Sequence, residues 1–132
     1  MMNKYLKTIA LVLTAVIASC KKADFPAPAI IDKNDIMIVT PFEQQVFKNS
    51  DTVYINASIN AEAEMHGYEI TLAKSNGDVI HTYSEHTHGT EIHINEYWVN
   101  TMTGNNDIIL SISAVVDHDG AELSNSITFR TE

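Results

Sequence analysis

The sequence predicts an all-β protein, an antiparallel immunoglobulin-like β-sandwich of about seven strands. Three observations predict it. Short segments alternate apolar and polar residues with a period of two. Clusters of Gly, Asn, Asp and Ser punctuate these segments at strand-length intervals. No segment holds a 3.6-residue apolar period over the length of a helix.

The elements follow in order. "DIMIVTPF" (35–42) is rich in β-formers and is ended by Pro41. "DTVYINASIN" (51–60) places Val53, Ile55, Ala57 and Ile59 on one face, with Thr52, Tyr54, Asn56 and Ser58 on the other. A loop is expected at 61–66. "GYEITLAK" (67–74) directs Tyr68, Ile70 and Leu72 inward. "SNGD" (75–78) contains Asn-Gly and predicts a hairpin of type I′, with positive φ at both central residues. "VIHTYS" (79–84) then pairs antiparallel with the strand before it. "TEIHINEYW" (90–98) sets Ile92 and Ile94 on one face and His93 towards solvent, with Trp98 at the strand end as a core plug or, with Tyr97, a binding hot spot. "IILSISAVVD" (108–117) turns Leu110, Ile112, Ala114 and Val116 inward. "HDGA" is a turn, and "ELSNSITFRT" (122–131) closes the domain with Leu123, Ile127 and Phe129.

The first twenty residues, "MMNKYLKTIALVLTAVIASC", are of another kind. Lys4 and Lys7 precede an apolar stretch from Ile9 to Ala18, too short to span a bilayer as a mature helix. Ala18 and Ser19 lead into Cys20. The segment resembles a bacterial lipoprotein signal, although Ile17 stands where the lipobox more often has Leu. The resemblance implies that residues 1–19 are removed and that Cys20 is lipidated and becomes the mature N-terminus. Two or more acyl chains then hold the protein to a membrane, at about 0.8 kcal/mol per buried CH₂. "KKADFPAPAIIDKND" follows, and its Pro-Ala alternation predicts a semi-stiff tether over 20–34. The folded domain is expected at 35–132.

Cys20 is the sole cysteine, so the chain forms no internal disulfide and no thiolate metal site. Loss of residues 1–19 takes Lys4 and Lys7 with it and lowers the formal net charge from −9 to −11. Such acidity argues against nucleic acid as a partner.

The domain also resembles a group of small immunoglobulin-like lipoproteins common in Bacteroidota. The resemblance lies in the lipobox, in "VTPFEQQVFKNSDTVYINASI", "EMHGYEI" and "HTH", and in "DHDG". It covers most of the mature chain and implies the fold and an address in the cell envelope. The group is largely uncharacterised, so it implies little about activity. "KKAD" after Cys20 carries no dense acidic run of the kind associated with surface export in this group. The expected location is therefore the outer membrane, on its periplasmic face.

"SEHTHGTEIHI" (84–94) holds three of the six histidines. Alternating strand directions carry the 61–66 loop, the 85–89 connection and "DHDG" to one end of the sandwich. His66, His86, His88 and His118 are thereby expected together, with His66 and His118 in the inward parity of their strands. Neutral imidazole ligates Zn²⁺, Cu²⁺ and Ni²⁺, and a site needs three or four donors. These four histidines are the candidate metal ligands, and zinc or copper is the candidate cofactor. Glu64, Glu85, Asp117 and Asp119 are candidate further ligands, or acceptors that fix the imidazole tautomers. The alternative is a polar sheet edge that happens to be rich in histidine.

Nothing marks a catalytic nucleophile. There is no Gly-X-Ser-X-Gly motif, and "DHDG" lacks the Asp spacing and terminal Glu of an EF-hand. The expectation is a non-enzymatic binding module anchored at a membrane. It binds either a divalent metal ion or an envelope protein or glycan.

Overall fold

The computed structural model describes residues 34–116 and 120–132, and these form two packed β-sheets with no helix. The strands are β1 (Asp35–Thr40), β2 (Val46–Phe47), β3 (Thr52–Met65), β4 (Tyr68–Lys74), β5 (Val79–Glu85), β6 (Gly89–Val99), β7 (Asn106–Val115) and β8 (Glu122–Thr131). One sheet has the order β1-β3-β6, the other β2-β8-β7-β4-β5. All pairings are antiparallel except β2 with β8. The all-β, two-sheet architecture is the one the alternating pattern predicts.

The core lies between the sheets. Val53, Ile55, Ala57 and Ile59 of β3 and Ile92, Ile94 and Trp98 of β6 face Ile70 and Leu72 of β4, together with Ile108, Leu110, Ile112 and Ala114 of β7. Phe129 of β8 is fully buried and meets Phe47 edge-on, with ring centroids 5.5 Å apart. Burial of each large aliphatic side chain contributes roughly 1.5–3 kcal/mol. His93 is exposed, as the parity of "TEIHINEYW" predicts, and Trp98 is buried as a core plug.

Three departures have plain causes. Proline has no N–H to donate, so β1 stops at Thr40 and the chain crosses at Pro41 to the other sheet. There β2 pairs with Val46 opposite Arg130 and Phe47 opposite Thr131. Two residues are too few to show a period, so this strand leaves no pattern in the sequence. Second, the expected loop at 61–66 is mostly strand. After an irregularity beyond Asn60, β3 resumes register with Met65 opposite Gly89. Burial of Ala61 and Met65 holds the extension against the core. Third, the Asn-Gly hairpin is not of type I′, because only Gly77 of the pair has positive φ, at +94°. Its N–H donates to the Lys74 carbonyl at 2.8 Å, while the Lys74 N–H donates to the Asp78 carbonyl at 2.9 Å. This is the longer hairpin that ends in one left-handed glycine and a bulge. A second irregularity follows along the hairpin, where Leu72 faces His81 and Ala73 faces Val79, so Ile80 is the extra residue.

Asn100 ties the far end together. Its side chain is fully buried; Nδ2 donates to the Lys48 carbonyl at 2.8 Å, and Oδ1 accepts from the Met102 N–H at 2.9 Å. Its own backbone bonds both Ser50 and Asp51.

Candidate histidine site

Two chain crossovers between the sheets run side by side at one end of the sandwich. His66 and Gly67 carry the chain from β3 to β4, and His86, Thr87 and His88 carry it from β5 to β6. The pairs Met65–Gly89 and Tyr68–Glu85 bracket them. Close approach needs Gly67. A Cβ there would stand 2.5 Å from the Glu85 carbonyl oxygen, and its φ of +132° suits only glycine. The His66 N–H donates to the Val115 carbonyl at 3.1 Å and so fixes this crossover to the end of β7.

The three histidines meet. His88 is the central ring, edge-on to His66 at a centroid separation of 4.9 Å and to His86 at 4.8 Å. The Nε2 atoms of His86 and His88 are 3.1 Å apart. Nδ1 of His88 lies 3.5 Å from Oε1 of Glu64. His86 and His88 are exposed and His66 is half-buried. Among the candidate ligands, His118 lies outside the described residues, as do Asp117, Asp119 and the lipid-attachment residue Cys20. Among the described residues, no three His, Cys, Asp or Glu side chains are arranged to hold a metal ion. What converges is a pair of imidazole nitrogens, with a third ring beside them.

That pair has a definite chemical property. Two ring nitrogens that face each other need a proton or a cation between their lone pairs. A tetrahedral zinc with 2.0–2.1 Å bonds sets neighbouring ligand nitrogens roughly 3.3 Å apart. Glu64 faces the other nitrogen of His88, where a carboxylate favours Nδ1–H and leaves Nε2 unprotonated.

Beside the histidines an open cavity of about 400 Å³ is lined by His66, Tyr68, Glu69, Ser84, Glu85 and Ala114, among others. Sequence reading missed the hydroxyl–carboxylate contacts in its wall. The Tyr68 hydroxyl donates to Glu85 Oε2 at 2.8 Å, and Tyr83 reaches the same oxygen at 3.3 Å. Burial raises the Tyr68 phenol above its ordinary pKa, and the hydrogen bond and charge of Glu85 raise it further. Tyr83 is raised too, by desolvation first and then by Glu96 and Glu85. Tyr68 and Glu85 sit opposite each other on β4 and β5, a pairing visible in sequence only once the hairpin register is known.

The architecture has a counterpart among solved structures. The chain is similar to the fibronectin(III)-like modules of CbhA from Clostridium thermocellum, with a TM-score of 0.51 and 14% sequence identity over 74% of this chain and 94% of that one. The fold is fibronectin(III)-like. At this identity the similarity establishes the fold and nothing about ligands. No protein-family model and no curated protein matches the sequence. In this fibronectin(III)-like frame the histidines occupy loop positions at one end, outside the packed core that the fold requires.

Proposed function

We propose that this protein is a non-enzymatic binding module of the cell envelope. It is tethered to the outer membrane by lipid on Cys20, and its histidine end takes up a divalent transition metal such as zinc or copper. The fibronectin(III)-like fold supports the coarser part, a binding or interaction module. The signal-like segment ending in "IASC" supports the anchor. The observation that carries the metal reading is the 3.1 Å approach of the His86 and His88 Nε2 atoms, with Glu64 on the far side of His88. His66 and His118 are the residues to complete the donor set. The absence of thiolate donors favours borderline dications over Cu⁺.

A thermal melt of the full chain in detergent tests the metal reading, first with chelator and then with Zn²⁺, Cu²⁺ or Ni²⁺. An ion at 100 times its Kd stabilises the folded state by about 2.7 kcal/mol. The expected result is an upward shift of several degrees that disappears in His86→Ala/His88→Ala. No shift with any ion overturns the reading and leaves an interaction module for an envelope protein or glycan. The anchor is tested separately: palmitate label is expected in the wild-type chain and absent from Cys20→Ser.

A further inference from the structure

The outer face of the β1-β3-β6 sheet carries an aromatic ledge. Tyr54 and Tyr97 are direct partners across β3 and β6, and they are 63% and 64% exposed. The rungs on either side are Thr52–Val99 and Asn56–Asn95. None of these six residues is Asp, Glu, Lys, Arg or His, although the chain as a whole carries a net charge of −9. The Asn56 amide is fixed, because its Nδ2 donates to Thr40 Oγ1 at 2.9 Å. The ledge is set far from the histidine end, on the order of 30 Å along β3 at about 3.3 Å per residue.

We infer that the paired faces of Tyr54 and Tyr97, flanked by Asn56 and Asn95, form a binding site for a neutral polysaccharide. A pyranose ring presents an apolar C–H face bordered by hydroxyls. Tyrosine offers an apolar ring face with a hydroxyl at its tip, and the flanking amides offer both donors and acceptors. Charge complementarity selects the occupant. An uncharged ledge on an acidic chain holds no cation to attract an anionic polymer, and the net negative charge of the chain repels one. Met37, opposite Ser58, and Val39 of β1 are exposed on the same outer face beside the ledge. Two exposed phenol rings side by side on adjacent strands fit an extended glycan chain.

The test is affinity electrophoresis of the full chain in a zwitterionic detergent, through native gels containing hydroxyethylcellulose, laminarin, mannan or polygalacturonate. Retardation is expected with at least one neutral polymer and not with polygalacturonate. Tyr54→Ala and Tyr97→Ala are each expected to weaken it by about tenfold. His86→Ala/His88→Ala is expected to leave it unchanged, which separates this site from the metal reading. No retardation by any neutral polymer, equal retardation by polygalacturonate, or full retardation of the double tyrosine variant overturns the inference. A second measurement needs no variant. Nitration of the wild-type chain is expected to modify Tyr54 and Tyr97, and the retarding polymer is expected to protect both. Equal nitration with and without polymer also overturns the inference.

Discussion

Gly67 and Glu85 bring the two sheet crossovers into contact, because the Glu85 carbonyl oxygen lies only 2.5 Å from where a Cβ at residue 67 would stand. The consequence runs from one absent methyl group to the whole end of the molecule. The obstacle is backbone rather than a flexible side chain, so it cannot rotate aside.

Gly67→Ala is therefore expected to destabilise the fold by about 2 kcal/mol or more, through the strained positive φ and the displaced β5 end together. It is also expected to separate His66 from His88. Denaturant unfolding checks the first effect. Chemical shifts of the imidazole protons check the second, and shifts identical to wild type would contradict the role assigned to Gly67.

Glu64→Gln isolates the carboxylate behind His88. The substitution keeps the shape of the side chain and removes the charge 3.5 Å from Nδ1. Loss of such a partner typically lowers metal affinity by about 10- to 100-fold. The expected outcome is a rise of that order in the Kd of the stabilising ion, with little change in the metal-free melt. Calorimetric titration of the two proteins checks it.

The architecture was largely legible in the sequence, because period-2 alternation reports directly on which side chains meet the core. Val53, Ile55, Ala57 and Ile59 alternate in the sequence and are buried in the structure. The histidine convergence was legible for a related reason, since alternating strand directions carry the β3–β4 and β5–β6 connections to one end. What was not legible depends on pairing across the chain. β2 is too short for a period, and the extension of β3 to Met65 follows from its partner Gly89. In a sequence, Asn100 is a polar residue after a strand. Its role appears only when Lys48 and Met102 are seen on either side of it.

That buried amide yields a stability prediction. Asn100→Leu keeps the branched skeleton of the side chain but strands the Met102 N–H and the Lys48 carbonyl without their partner. Each buried group left unsatisfied costs about 1–3 kcal/mol. The expected loss is about 2–4 kcal/mol, read as a lower urea midpoint with an unchanged slope. Asn100→Asp is expected to fall short of full rescue, because a carboxylate accepts from Met102 but cannot donate to Lys48.

The Tyr68–Glu85 hydrogen bond predicts a pH dependence on the alkaline side. Burial and the neighbouring carboxylate raise the phenol in the folded state, whereas in the unfolded chain it titrates near its ordinary value of about 10. Above that pH the unfolded state loses the proton while the folded state keeps it, so the unfolded state binds fewer protons and stability falls as pH rises. The contribution is fully present below about pH 10 and declines above it, by at most about 1.4 kcal/mol per pH unit for one proton. Tyr68→Phe removes the titrating group. It is expected to lower the neutral-pH stability by about 1 kcal/mol through the lost hydrogen bond, and to flatten the decline above pH 10. Tyr83, raised in the same direction, keeps a residual slope in the variant. Urea unfolding at intervals from pH 7 to 11 checks both effects, and parallel curves for wild type and variant would refute the assignment.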